Sequence, residues 1–120
     1  MNQFGGFKVQ GRGDAGDRLL DEAISLEQAG VSLLILEAIP QDLAKKVTAA
    51  LSIPTIGIGA GINCDGQILV LQDMLGIYPV GSPKFSKNFM QEATSIDEAV
   101  ANYVASVKAG EFPEQKHSFS

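Results

Sequence analysis

A single glutamate, Glu37, ends an apolar run of the chain and stands directly before "AIP". The preceding residues, "VSLLIL", carry no charge. Ligands of parallel α/β proteins bind at the carboxyl ends of the strands, so a carboxylate at this point is a candidate catalytic group. Partial desolvation beside Leu36 and Ile39 would raise the pKa of Glu37 and let it act as a general base near neutral pH. The structural alternative is that Glu37 faces solvent or caps the following helix.

The glycine block "GIGAGINCDG" is a second candidate, because closely spaced glycines let backbone N–H groups approach an anion. The block lacks the G-x-G-x-x-G spacing with a following helix, and it lacks the lysine of a P-loop. The pattern therefore favours a tight turn with positive φ at Gly59 or Gly61. Cys64 and Asp65 lie in the same loop, but no histidine or second cysteine stands nearby to complete a metal site.

Four further side chains have weaker cases. Lys8 and Arg12 stand between glycines and could hold an anion, although a solvated loop explains them equally. Asp73 is either another strand-end carboxylate or a helix residue. His117, the only histidine, has no nucleophile motif around it, and we assign it no role.

These residues need a scaffold, and the hydrophobic pattern predicts one. "DAGDRLLDEAISLEQAG" has the periodicity of a one-sided helix, and "PQDLAKKVTAALS" has that of another. The short apolar runs "VSLLILE" and "IPTIGIG" indicate strands buried on both faces, as in a parallel sheet. We predict a third strand over Ile68–Leu71, where helical spacing also fits, and a last helix that begins with a capping box of Ser95 and Glu98. The class is α/β with about three parallel strands.

Composition narrows the function. The chain has 120 residues, which predicts one domain (1–120) with a tail at 111–120. A net charge of −5 argues against nucleic acid as a partner. No stretch reaches the ~18 apolar residues of a spanning helix, and one cysteine excludes an internal disulfide. We therefore expect a cytoplasmic protein that does not bind membranes.

Several segments together resemble the ketopantoate hydroxymethyltransferase (3-methyl-2-oxobutanoate hydroxymethyltransferase) family. They are "FGGFKVQGRGD", "LLILEAIP", "IPTIGIGAGINCDGQILVLQDMLG", "PKFSKNF" and "HSF", in that order along nearly the whole chain. The resemblance implies the C-terminal half of a (β/α)8 TIM barrel of the phosphoenolpyruvate/pyruvate type. The implied activity, in pantothenate biosynthesis, transfers a hydroxymethyl group from 5,10-methylenetetrahydrofolate to 3-methyl-2-oxobutanoate and gives 2-dehydropantoate.

The resemblance also implies a division of roles. The family's glutamate base falls in the segment that reads "LLILEAIP" here, which gives Glu37 that role. Mg²⁺ is the implied cofactor, and large homo-oligomers, commonly decamers, are the implied assembly. Family members are much longer than this chain, and the metal-binding carboxylates and the substrate-contacting lysine belong to the half that this sequence does not contain. No metal ligand or folate contact can therefore be assigned here.

Two functional hypotheses remain open at this point. In the first, the chain is part of the enzyme and is completed by a separate N-terminal half. In the second, it is a non-catalytic half-barrel that associates with itself or binds a partner protein or a small 2-oxo acid. The expected open edges and uncovered inner face of a half-barrel favour self-association.

Overall fold

The computed structural model describes residues 14–77 and 81–120. Helices and short parallel strands alternate over the first four elements. A third strand, two further helices and a 3-10 turn follow. The elements are α1 (Asp14–Gln28), β1 (Leu34–Glu37), α2 (Gln41–Ala50), β2 (Thr55–Ile58), β3 (Gly66–Gln67), α3 (Leu71–Met74), α4 (Ile96–Lys108) and a 3-10 turn (Gln115–His117).

The three strands form one parallel sheet in the order β1-β2-β3. The pairing of Leu34 with Thr55 and of Glu37 with Ile58 sets the two longer strands in register, so both end at the same edge of the sheet. This arrangement confirms the α/β prediction with about three parallel strands. The two helix-strand steps arise because periodic apolar segments alternate with short, unbroken apolar runs.

Helices α1 and α2 cover one face of β1 and β2. The buried residues of this first core are Ala23, Leu36, Ile39, Ala44, Val47, Leu51 and Ala60. Burial of a leucine or valine side chain of this kind contributes about 1.5–3 kcal/mol. Packing in the first core therefore fixes the face of the sheet toward which the Leu36 side chain points. It also fixes the opposite face for its neighbours Ile35 and Glu37.

A second core joins α3, the segment before α4, and α4 itself. Its buried members are Met74, Leu75, Phe89, Ala99 and Phe112. Ser95 caps α4 as predicted, since its Oγ accepts the Glu98 N–H at 3.1 Å. The Glu98 carboxylate, however, accepts the N–H of Thr94 at 3.0 Å, so the reciprocal bond reaches one residue further back than a capping box requires.

The predicted third strand at Ile68–Leu71 is wrong in its bounds. The strand is Gly66–Gln67, and only one further ladder bond forms, from the Ile68 N–H to the Gly57 carbonyl at 2.9 Å. Leu71 already begins α3, which places Met74 and Leu75 in the second core. The helical spacing of these apolar residues determined the structure because it lets them pack against α4.

The described helices are short. The longest, α1, has 15 residues. Across the described ranges, no helix combines the length and the apolar character needed to cross a membrane.

Candidate functional site

Glu37 is the last residue of β1, and its side chain is half-buried. Neighbouring side chains of a strand point to opposite faces of the sheet. Leu36 is 4% exposed in the helix-covered core, whereas Ile35 is 55% exposed. Glu37 therefore lies with Ile35 on the face that α1 and α2 leave uncovered, at the carboxyl end of its strand as predicted. Within residues 14–77 and 81–120 its carboxylate has no hydrogen-bond or ion-pair partner.

A constrained turn follows Glu37. Ala38 has a φ of +51° and is the one non-glycine residue with positive φ in the part of the chain that the structure describes. The left-handed conformation costs an alanine about 1–2 kcal/mol. Two hydrogen bonds to the end of β2 stabilise the turn: Ala38 N–H to the Ile58 carbonyl at 2.9 Å and Ile39 N–H to the Gly59 carbonyl at 3.1 Å. Backbone strain of this kind is concentrated at functional sites.

A cavity of about 280 Å³ adjoins Glu37 along the open edge of β1. Its wall is mainly apolar, and Glu22 of α1 adds a second carboxylate. The apolar lining residues are Leu19, Ala23, Leu26, Leu34, Ile35, Leu36 and Ile39. A larger groove of about 450 Å³ lies between residues 87–92 and α4, and Glu37 does not line it. The smaller cavity is thus the one that brings a candidate base next to space for a small organic acid.

The glycine block after β2 forms a tight turn, as predicted. Gly59 and Gly61 have φ values of +68° and +83°. A Cβ on Gly59 would lie 2.8 Å from Cδ2 of Phe85, and one on Gly61 would meet the Cβ of Gln41. The glycines are thus needed both for their conformation and for the close approach of Phe85 and α2 to the end of β2.

Several residues of the predicted tail, 111–120, are buried. His117 is 5% exposed, and its ring centroid lies 5.0 Å from that of Phe112. The carbonyl of Phe119 accepts the N–H of Gln41, the first residue of α2, at 2.9 Å. Sequence reasoning missed this contact with the Glu37 turn. The only signal for it was the aromatic and histidine content of "HSF" in a segment otherwise rich in polar residues.

Asp65 and Cys64 have structural surroundings at the opposite end of β2. The Asp65 carboxylate accepts the N–H of Thr55, the first residue of β2, at 2.8 Å. Burial raises the pKa of the Cys64 thiol; the Asp65 charge also raises it, while hydrogen bonds from Thr55 and Thr48 act in the other direction. The loop therefore anchors the start of β2, away from the strand ends where Glu37 lies.

Three other predicted candidates remain to be placed. Lys8 and Arg12 lie outside the described residues. Asp73 belongs to α3, so the helical alternative for it is the one observed. Among the described residues, no group of three or more histidine, cysteine, aspartate or glutamate side chains is arranged to hold a metal ion. These residues do not fit a Mg²⁺ site by themselves.

Comparison with known proteins gives a consistent result. The family model described as "Ketopantoate hydroxymethyltransferase" matches residues 1–115. A 3-methyl-2-oxobutanoate hydroxymethyltransferase of Enterobacter sp. (strain 638) is 57% identical over 119 residues, which are 99% of this chain and 45% of the relative. The proteins of that name from Salmonella agona (strain SL483) and Salmonella newport (strain SL254) give the same values. The chain spans less than half the length of these curated relatives, and it belongs to the ketopantoate hydroxymethyltransferase family.

Proposed function

We propose that this chain provides the general base of a 3-methyl-2-oxobutanoate hydroxymethyltransferase and that Glu37 is that base. The carboxylate removes the C3 proton of 3-methyl-2-oxobutanoate, and C3 then bonds to the one-carbon unit of 5,10-methylenetetrahydrofolate. Water supplies the hydroxyl oxygen, so that the products are 2-dehydropantoate and tetrahydrofolate. We further propose that the chain acts in pantothenate biosynthesis in the cytoplasm. The observation that carries the proposal is the position of Glu37 at the carboxyl end of β1, immediately before the strained Ala38.

The chemistry explains why such a position suits a base. A general base contributes about 10²–10⁴-fold when it is held within hydrogen-bonding reach of the proton it removes. The two bonds from the turn to Ile58 and Gly59 fix the backbone beside Glu37, and the lack of a partner among the described residues leaves the carboxylate available. The apolar walls of the adjoining cavity suit the branched carbon chain of the oxo acid.

Mg²⁺ and the folate co-substrate enter this proposal through the family alone. The described residues do not form a Mg²⁺ site, and no step above depends on one. We propose that the metal ligands and the folate contacts come from protein outside this chain, either a separate N-terminal half or other subunits of a homo-oligomer. The three parallel strands would then form part of a (β/α)8 barrel.

The test is C3 exchange of 3-methyl-2-oxobutanoate in D₂O with Mg²⁺, followed by proton NMR. The chain is co-purified with the portion of the Enterobacter relative that it does not match, and it is also assayed alone. We expect exchange by the pair and none by the isolated chain. Glu37→Gln should reduce exchange by the pair at least about 10²-fold. Exchange that persists in the Glu37→Gln pair would remove Glu37 from the mechanism.

Glu22→Gln is the matched control, because Glu22 lines the same cavity from α1 but does not end a strand. We expect this variant to exchange C3 within about twofold of the unsubstituted pair. Glu22 is exposed on α1, so its substitution should change the stability little and leave the strand-end carboxylate in place. An equal loss in both variants would mean that negative charge in the cavity, rather than the position of Glu37, supports the reaction.

The second candidate function is a non-catalytic half-barrel that associates with itself or binds a partner protein. It is favoured by the exposure of apolar side chains on and beside the uncovered face of the sheet, with Ile35 at 55% and Ile68 at 41%. A stable homodimer that never exchanges C3, even with the remainder of the relative present, would support this function over the enzymatic one.

A further inference from the structure

We infer that the C-terminal segment, residues 114–119, positions the turn between Glu37 and α2 (residues 38–40), and with it the Glu37 carboxylate. The inference rests on the proposed function, because positioning matters only if Glu37 takes part in a reaction. The segment contacts Gln41, the first residue of α2, and it contacts Phe85, whose ring packs on Gly59 directly after β2. It therefore connects the ends of both strands that frame the site.

The first connection is made through Gln41. Its backbone N–H donates to the Phe119 carbonyl at 2.9 Å, and its Nε2 donates to Oε1 of Gln115 at 2.8 Å. The first N–H groups of a helix have no partner within the helix, so the C-terminal segment supplies the acceptor that α2 lacks. Only three residues separate Gln41 from Glu37. A shift of Gln41 would consequently be transmitted to the carboxylate through a short, strained turn.

The second connection is aromatic. The ring of Phe119 contacts Phe85 edge-on, with the centroids 6.4 Å apart, and Lys84 Nζ lies 5.1 Å from the centroid of the Phe119 ring. Phe85 is 2% exposed and packs on Gly59, directly after β2. The segment thus contacts the residue after β2 through Phe85 while it holds the start of α2.

The segment has internal contacts that allow it to hold another element. The Glu114 N–H donates to Nδ1 of His117 at 3.1 Å, and the Ser118 hydroxyl donates to the Glu114 carbonyl at 2.9 Å. His117 and Ser118 are buried, and the His117 ring packs on Phe112 of the second core. These contacts anchor the segment to the body of the protein, so that its bonds to Gln41 restrain the turn.

The experiment compares three substitutions. Gln115→Ala removes the acceptor for the side-chain Nε2 of Gln41, whereas Gln115→Glu keeps an oxygen at the same place and should restore the contact. Lys116→Ala is the matched control, because its side chain is 72% exposed in the same 3-10 turn. Gln115 itself is exposed, so its substitution leaves both cores intact.

Two readouts are expected to change together. In the isolated chain, hydrogen exchange of the Gln41 backbone amide should accelerate on the order of tenfold in Gln115→Ala. The amide keeps its Phe119 acceptor, but the segment that carries this acceptor loses one of its two hydrogen bonds to Gln41 and opens more often. The Ala99 amide, bonded to Ser95 in α4, should not change. In the reconstituted pair, kcat for C3 exchange should fall on the order of tenfold with KM unchanged, because a misplaced base lowers the rate rather than substrate binding. Gln115→Glu and Lys116→Ala should resemble the unsubstituted chain in both measurements.

The outcomes separate this inference from the proposed function. Unchanged kcat in Gln115→Ala, in a pair that exchanges C3 normally, would overturn the inference and leave the function of Glu37 standing. A rise in KM without a fall in kcat would also overturn it, because the segment would then act on substrate binding. No exchange by the unsubstituted pair would refute the proposed function and the inference with it.

Discussion

The N–H of Ala38 donates to the carbonyl of Ile58 at 2.9 Å, so the ladder between β1 and β2 continues one residue past Glu37. Ala38 makes this bond with a φ of +51° and with 1% of its surface exposed. The chain therefore adopts an unfavourable conformation at a buried position in order to turn from β1 into α2. This relationship fixes where the Glu37 carboxylate stands relative to the end of the neighbouring strand.

Substitutions of Ala38 should reveal this conformation. Ala38→Val should lower the free energy of unfolding by about 2 kcal/mol or more, because a β-branched side chain is disfavoured at positive φ and the site is full. Ala38→Gly should change it by less than about 1 kcal/mol, since relief of strain offsets the lost methyl burial. Urea unfolding measures both, with Ala49→Val on the exposed side of α2 as control. Equal effects of valine at positions 38 and 49 would contradict the assigned φ.

Gly59 and Gly110 form a matched pair for the approach of Phe85 to the end of β2. Their φ values are +68° and +72°, but a Cβ meets Phe85 at 2.8 Å only at Gly59 and has open space at Gly110. Gly110→Ala should cost about 1 kcal/mol from the backbone conformation alone. Gly59→Ala should cost about 2–4 kcal/mol, because overpacking adds to the conformational term. Thermal and urea unfolding of the two variants measure the difference in free energy of unfolding. Similar decreases in both variants would mean that the Phe85 ring moves aside without an energetic penalty.

Asp65 should prove structural. Asp65→Ala leaves the N–H of the fully buried Thr55 without its acceptor and should lower the free energy of unfolding by about 1–3 kcal/mol. Asp65→Asn keeps an acceptor oxygen and should lower it less. Asp21→Ala, on the exposed surface of α1, serves as control, with an expected change within about 0.5 kcal/mol. C3 exchange lost in the Asn variant with its stability retained would instead give Asp65 a role in the reaction.

The pH dependence of the C-terminal segment should follow His117. Burial lowers the pKa of this imidazole below its usual 6.5; the Glu114 charge opposes the shift, and Lys116 and Lys87 add to it. The unfolded chain therefore binds the proton first as the pH falls, so the stability contributed by neutral His117 is complete above pH ~6.5 and declines below it. Protonation at Nδ1 would also remove the acceptor for the Glu114 N–H.

Proton NMR can measure this titration directly, because the chain has one histidine. The midpoint should lie below 6.5 in the folded chain, and exchange of the Gln41 amide should accelerate as His117 takes up a proton. His117→Asn offers an acceptor that does not titrate, and its Gln41 amide exchange, after correction for the intrinsic pH effect, should stay flat. A midpoint at or above 6.5 would contradict the burial seen here.

The sequence by itself determined the α/β class, the two helix-strand steps, the positive φ of Gly59 and Gly61, and the place of Glu37 at a strand end. These features depend on hydrophobic periodicity, on the glycine and proline residues that end elements, and on residue type. All three act within short windows, where neighbours along the chain are also neighbours in space. The third strand was misplaced because Ile68–Leu71 satisfies both periods, and only packing of Met74 and Leu75 into the second core distinguishes them.

Tertiary structure alone decided the rest of the site. The contact of Phe119 with Gln41, the packing of Phe85 on Gly59 and the bond of Asp65 to Thr55 join residues that the sequence pattern does not link. His117 illustrates the difference: the sequence pattern put it in a C-terminal tail and gave it no role, yet packing on Phe112 buries it. Such contacts depend on how separate elements fill the same space, and local propensity carries no information about that.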